Sequence, residues 1–143
     1  IRDTIKAHPT AKTENLIHLL NPKLRGWTNY HRHNCAKKTF NYISFCLFHA
    51  LWRWAKRRHP NKGQRWIKQK YFRKTDTQNW IFSATYKVGG GVKTQIDLYQ
   101  VAKVPIVRHV KIRADASPYK HEYQKYFMER KGKNKLRISA SIE

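Results

Sequence analysis

Hydrophobic residues in the first half of the chain recur every three or four positions, a spacing that predicts helices with one buried side. The first stripe consists of Leu16, Leu19, Leu20, Leu24, Trp27 and Tyr30. Asn21 and Pro22 interrupt it. Because proline is tolerated at the first position of a helix, Asn21 is predicted to cap a second helix that runs to about His33. A third helix is predicted from about Lys37, with the stripe Phe40, Ile43, Leu47, Ala50 and Trp54.

This third helix has a strongly basic end. It closes on Lys56, Arg57, Arg58 and His59, cations suited to a helix C-terminus, and Pro60 stops it. At about 1.5 Å per residue the helix is roughly 30 Å long. Residues 62–73 predict a further short basic helix, with Trp66, Ile67 and Tyr71 turned inward.

After residue 75 the hydrophobic period changes from helical to alternating. Residues 80–88 and 92–98 alternate apolar and polar positions, and the three glycines at 89–91 lie between them. This pattern predicts a β-hairpin, because glycine supplies a turn with few restrictions on φ. Residues 106–112 predict a third strand, which starts next to Pro105.

The end of the chain predicts one more helix and a tail. Ser117 is placed to cap the helix, Pro118 to take its first position, and residues 119–127 carry an aromatic stripe. From Lys131 onward the sequence is that of a basic tail. The predicted fold class is therefore α+β, mainly α, in which a three-helix bundle precedes a small β-hairpin and a helix. The predicted division is 1–74, 75–131 and a tail at 132–143.

Charge narrows the choice of partner. Lys and Arg total 31 against 8 Asp and Glu, which gives a formal net charge of +23. Such a chain fits a polyanion: RNA, DNA or an anionic membrane surface. The longest uncharged run, residues 39–52, is too short for a span of about 20 apolar residues, so no membrane partner is expected.

The aromatic and cysteine content adds two expectations. Five Trp, eight Tyr and six Phe are too many for a solvated basic tail, and most must pack a core, Trp27 and Trp54 among them. Two cysteines, Cys35 and Cys46, make no disulfide framework, which favours a reducing compartment. We expect the cytoplasm, with an organelle as the alternative.

No catalytic or metal site is predicted. The eight carboxylates are scattered, and no two make the short pair typical of a two-metal site. His31, His33 and Cys35 follow one another at every second position. On a helix such residues point to opposite sides, so they cannot share one tetrahedral ion.

Cations interleaved with aromatic residues form the binding signal. Between Arg53 and Lys74 the chain carries ten cations and no acid, and a second group surrounds the junction of the second and third helices. Phosphates are held by such cations, and exposed bases stack on the aromatic rings between them. The predicted RNA- or DNA-binding residues are Lys23, Arg25, Arg32, Lys37, Lys38, Arg53, Lys56, Arg57, Arg58, Lys62, Arg65, Lys68, Lys70, Arg73 and Lys74.

Several sequence strings resemble one family. Residues 20–30, LNPKLRGWTNY, are similar to the LNP-x-x-RGW-x-NY core of the maturase (X) domain of group II intron-encoded reverse transcriptases. Residues 51–62 resemble the third helix of that domain, and residues 71–72 and 79–82 fit the segment after that helix. The resemblance covers roughly residues 1–88.

The resemblance implies a role in both splicing and mobility. In that family the X domain is the polymerase thumb beside the template–primer duplex, and it binds intron RNA so that the ribozyme folds and splices. A DNA-binding (D) domain comes next and contacts target DNA during retrotransposition. Residues 1–74 would be the X domain and 75–131 the D domain. The expected partners are group II intron RNA, target DNA and the fingers and palm of the reverse transcriptase, in a ribonucleoprotein.

The chain also departs from the family pattern. It lacks the Tyr-x-Asp-Asp motif of the polymerase palm, and no endonuclease cluster of His and Asn comes after residue 131. The sequence starts at Ile1, so we expect a piece of a longer RNA-directed DNA polymerase, and whether the chain is itself an enzyme stays uncertain. No cofactor is expected within it; Mg²⁺ would serve the missing polymerase site and the ribozyme.

Two other functions remain open on the residues. One is a structural RNA-binding protein of a ribonucleoprotein, which would share the charge. The other is a fragment of a metal-dependent nuclease, which metal-dependent cleavage would reveal.

Overall fold

The computed structural model describes residues 1–76, 78–87, 92–109 and 111–139, and side chains as far as residue 132. Packing divides the chain into two units, Ile1–Ile106 and Val107–Glu143. The first unit contains four helices and a small sheet, so the predicted α+β, mainly α, fold is confirmed.

The helices of the first unit, apart from the first one, lie in the regions where the hydrophobic stripes predict helix. They are α1 (Arg2–Ala7), α2 (Thr13–His31), α3 (Lys37–Arg58) and α4 (Gln64–Tyr71). Among the described residues, no helix has the length and apolar character needed to cross a bilayer.

Helix α2 passes through Pro22 without a break, so the predicted interruption is wrong. Proline in a helix interior costs about 3 kcal/mol. Leu16, Ile17, Leu20 and Leu24, which lie on either side of this point, are fully buried. Each such burial contributes about 1.5–3 kcal/mol, so together they outweigh the proline.

Asn21 therefore does not cap a helix. Its side-chain amide donates to the carbonyl of Asp97 at 3.0 Å, and its oxygen accepts from the backbone N–H of Tyr99 at 2.9 Å. The uninterrupted helix also turns two residues of the predicted stripe outward: Leu19 is 41% exposed and Tyr30 is 78% exposed.

Helix α3 lies at the centre of the core. Phe40, Leu47, Leu51 and Trp54 are buried on one side of it, as predicted. Trp54 also donates its indole N–H to the carbonyl of His8 at 2.9 Å. The buried residues of α2, α3, α4 and the sheet form one cluster, against which Trp27 packs half-buried.

The sheet has three antiparallel strands in the order β1 (Phe72–Arg73), β2 (Ile81–Lys87) and β3 (Lys93–Asp97). The predicted hairpin of β2 and β3 is confirmed, with Ala84 opposite Ile96. Its glycine turn at 89–91 lies outside the described residues. Phe82 is buried against α3 and α4, where its ring stacks on Tyr71 at 6.1 Å.

The third predicted strand is wrong. The described part of residues 106–112 has no strand; the third strand is β1, which pairs Phe72 with Phe82. A short 3₁₀ turn at Val101–Lys103 precedes this region instead. Val101 and Val104, just before this region, are buried in the core. Their side chains therefore contribute to packing and not to the pairing of a strand.

The second unit contains a 3₁₀ turn at His121–Tyr123 and helix α5 (Gln124–Ser139). The helix thus begins seven residues after Ser117 rather than at it, and its backbone continues to Ser139, into the segment predicted as a tail. Tyr123 donates its hydroxyl to Asp115 at 3.0 Å, and this hydrogen bond lowers the pKa of the Asp115 carboxyl.

Packing does not break at residue 75. Strands β2 and β3 contact α2, and Ile1–Ile106 forms one unit. The functional division into an X domain at 1–74 and a D domain at 75–131 stays a prediction.

Candidate nucleic-acid interface

The C-terminal turns of α3 carry an exposed row of cations. Arg53, Lys56 and Arg57 are exposed, while Trp54 and Ala55 between them are buried. Arg53 and Arg57 are four residues apart and therefore share one side of the helix. Arg53 donates from its Nε to the carbonyl of His49 at 3.3 Å.

The loop after α3 and helix α4 extend this basic surface. Lys62, Arg65, Lys68 and Lys70 are all exposed. Three of them lie over aromatic rings, and Lys70 is 4.7 Å from the ring centre of Trp66. A cation over a ring is held by about 0.5–1 kcal/mol at an exposed site, so it is available to a phosphate.

Three of the predicted binding residues bond groups of the protein itself, and whether they also contact a nucleic acid stays a prediction. Lys37 donates to the carbonyl of Ala102 at 2.6 Å, and Arg58 donates to the carbonyl of Ala11. Arg73 pairs with Asp97, and this hydrogen bond raises the pKa of the guanidinium. The side chains of these three residues thus donate hydrogen bonds within the protein, whereas the charge pattern predicts that they bind a partner.

The cations at the junction between α2 and α3 also differ from one another in exposure. Lys23, Arg25 and Lys38 are exposed, and Arg25 lies 5.6 Å from the ring centre of Tyr99. Arg32 is only 7% exposed, so little of it is open to a partner, and its contact with a nucleic acid stays a prediction. Its Nε and Nη2 have no hydrogen-bond partner within the described part of the chain.

A cavity of about 390 Å³ opens beside α4 and is lined by cations and an indole. Arg65, Lys68 and Lys74 contribute the charge, and Trp80 contributes the ring. The alternating pattern predicts Trp80 as an inward strand residue, but β2 begins one residue later and the side chain is 41% exposed. The sequence holds a signal for this: Ile81 and Phe82 are consecutive apolar residues, which breaks the alternation at that point.

His59 lies within the same basic surface. Its ring nitrogen is 2.7 Å from the hydroxyl of Tyr71. Removal from water lowers the pKa of His59, and the neighbouring Lys70, Arg58 and Lys62 lower it further. These surroundings favour the neutral form of the His59 ring.

In the portion that the structure describes, no three His, Cys, Asp or Glu side chains gather where they could share a metal ion. Cys46 is half-buried rather than fully buried, and it contacts Tyr42, whose pKa it raises.

Comparison with known protein families gives a match over the first half of the chain. Residues 1–72 match the group II intron, maturase-specific domain, which is half of the chain. No protein with a curated description matches the sequence. The match spans α1 to α4, including the exposed cations of α3, of the loop after it and of α4.

Proposed function

The chain belongs to the group II intron maturase family, and we propose that it binds intron RNA through the exposed cations of α3, the loop after it and α4. The observation that carries this proposal is the run from Arg53 to Lys74, which has ten cations and no acid. A solvated helix face ordinarily mixes both signs of charge, since unrelieved repulsion destabilises the folded state.

The proposed contact is electrostatic. Phosphates of the RNA would lie against Arg53, Lys56 and Arg57, whose positions are fixed because the opposite side of α3 is buried in the core. Arginine suits this role, since its planar fork donates two parallel hydrogen bonds to one phosphate. By holding the folded RNA, the protein assists splicing, while the splicing chemistry itself belongs to the ribozyme.

The same proposal includes the family roles in reverse transcription and mobility. Helix α3 would lie beside the template–primer duplex as the polymerase thumb. The segment after β1 would contact target DNA. Exposed lysines of the second unit, Lys111, Lys120 and Lys125, support a contact with DNA phosphates there.

Charge reversal tests the RNA contact. The variant Arg53→Glu/Arg57→Glu should bind RNA about 100-fold or more weaker, since a hydrogen bond to a charged group contributes about 1.5–3 kcal/mol. The slope of log affinity against log salt should also become shallower by about 0.7–0.9 for each phosphate that the variant no longer neutralises. A filter-binding titration at several salt concentrations measures both quantities.

A matched control separates a local contact from a general effect of charge. Lys87→Glu/Lys93→Glu makes the same change in net charge at a pair of exposed residues that face each other across β2 and β3. It should weaken RNA binding only slightly. Unchanged binding by the Arg53/Arg57 variant at moderate salt, or an equally large effect in the control, would refute the proposal.

A further inference from the structure

The cavity beside α4 has the features of a pocket for a single unpaired base. We propose that it takes an extruded nucleotide of the bound RNA, with the base stacked on Trp80 and its phosphate held by Lys68, Arg65 and Lys74. This inference rests on the proposed RNA binding and adds a base-dependent contact to an otherwise electrostatic surface.

The indole of Trp80 is held rigidly although it is partly exposed. Its ring centre lies 5.7 Å from those of Phe48 and Trp52 and 5.8 Å from that of Phe72, all in edge-to-face contacts. A ring fixed in this way loses little side-chain entropy when a base stacks on it.

The backbone at Trp80 is strained. Its φ of 75° lies in the left-handed region, which a bulky side chain rarely adopts. Such strain persists where the surrounding structure enforces it, and it is concentrated at ligand sites. Trp80, the residue with this backbone, is also the residue that supplies the indole of the cavity.

The lining of the cavity matches a nucleotide in size and charge. Its volume of about 390 Å³ falls within the range of small-molecule sites, about 300–1,000 Å³. Its described lining includes no carboxylate, and Asn79 offers an amide that can pair with the edge of a base. The cations alone would fit an acidic peptide equally well; the exposed indole favours a base.

The side chain of Lys68 lies over the indole of Trp80. Its Nζ lies 4.2 Å from the ring centre of Trp80. An exposed cation–π contact is weaker than a base stacked on an aromatic ring, so a base can displace the lysine. The displaced ammonium then stays within reach of the phosphate that arrives with the base. Arg73 takes no part in this, because it is paired with Asp97.

Two RNA probes of equal charge test the pocket in the 143-residue chain. One is a fluorescein-labelled strand of oligouridine, and the other is a ribose-phosphate strand of the same length without bases. Trp80→Leu should bind the oligouridine about 5- to 150-fold more weakly, the effect of removing one stacked base. Its affinity for the strand without bases should not change.

Further variants control for other causes. Trp80→Phe keeps an aromatic ring and should restore much of the oligouridine affinity, provided that its far-UV spectrum matches the original protein. Lys68→Gln should lower the salt slope by about 0.7 on both strands. Trp66→Leu removes another indole that is flanked by lysines but lies outside the cavity, and it should keep the original preference for the strand with bases.

The outcomes are distinct. An equal fall in affinity for both strands, or no fall with Trp80→Leu, would overturn the pocket. So would photo-crosslinks from 4-thiouridine in the strand that map only to peptides without Trp80. If the charge reversal at Arg53 and Arg57 weakens both strands while Trp80→Leu weakens neither, RNA binding stands and only the pocket fails. If the original protein binds neither strand, the proposed function itself fails.

Discussion

Arg57 and Arg58 are adjacent at the end of the same helix, yet their side chains have different roles. Arg57 is exposed, whereas Arg58 is half-buried, bonds the carbonyl of Ala11 and lies 4.7 Å from the ring centre of Trp54. Lys38 and Lys37 make a similar pair at the start of α3, where Lys37 reaches the carbonyls of Ala102 and Val104 and Lys38 is exposed. Within each pair, one cation supports the fold and the other is available to a partner.

The comparison shows what a charge pattern leaves out. A run of lysines and arginines gives the net field of a surface, which attracts a polyanion at long range. Whether a given cation can bind a phosphate depends on the direction of its side chain and on which carbonyls lie nearby. Those depend on tertiary packing, so substitutions within each pair should separate stability from binding.

The largest difference is expected between Arg58→Met and Arg57→Met. Arg58→Met should lower the free energy of unfolding by about 1–3 kcal/mol, because it removes the hydrogen bond to Ala11 and the cation–π interaction with Trp54. Arg57→Met should leave stability nearly unchanged and reduce the salt slope of RNA binding by about 0.7–0.9. Urea unfolding with tryptophan fluorescence as the readout reports on the first unit, because all five tryptophans lie within it.

Equal stability of the two variants would show that the bond to Ala11 contributes nothing. An equal fall in RNA affinity would show that Arg58 also reaches the RNA, and the two neighbours would then no longer differ in role.

A smaller difference is expected between Lys37→Met and Lys38→Met. Lys37→Met removes donors from two carbonyls of the segment that closes the core, and it should cost about 1 kcal/mol, since the ammonium is partly solvated and water replaces part of the bond. Lys38→Met should leave unfolding unchanged. The same urea titration checks both, and a fall in stability in the Lys38 variant alone would reverse the assignment.

The smallest effect concerns pH. The folded protein lowers the pKa of His59, mainly by removing the ring from water. The unfolded chain therefore takes up a proton at a higher pH than the folded one. As the pH falls from the unfolded value of about 6.5 towards the folded value, this site should reduce stability, and well above that unfolded value it should have no effect.

The variant His59→Gln tests the direction of this pH effect on stability. The variant should lose less stability than the original protein between about pH 7.5 and about pH 5.5, as measured by urea unfolding at both values. A direct titration of the His59 ring by NMR should give a pKa below about 6.5, and a value above it would contradict the prediction.

Much of the fold could be predicted from periodicity. The helical stripe ending at Trp54 and the alternation on either side of the glycines predict α3 and the β2–β3 hairpin, because these elements bury one regular face. The same reasoning fails at Pro22. There the free-energy cost of a proline inside a helix has to be compared with the gain from burying the apolar residues on either side of it. That burial depends on contacts with residues distant in the sequence.

The candidate site was less predictable. Composition identifies the basic surface, but exposure of Arg53 and burial of Arg32 depend on how α2 and α3 pack. Trp80 is hidden by an alternating pattern that places it at the start of a strand. Its backbone has a left-handed φ that periodicity does not predict, and the sequence hints at its exposure only through the consecutive apolar residues Ile81 and Phe82.

Asn21 has a practical consequence for anyone who shortens this protein. Both of its hydrogen-bond partners, the carbonyl of Asp97 and the N–H of Tyr99, lie beyond residue 74. A fragment cut at the end of the matched segment would leave that amide without partners and uncover the apolar side of α2. A fragment that keeps Ile1–Ile106 retains the whole packed unit, so we expect the smallest piece able to fold to be larger than the matched segment.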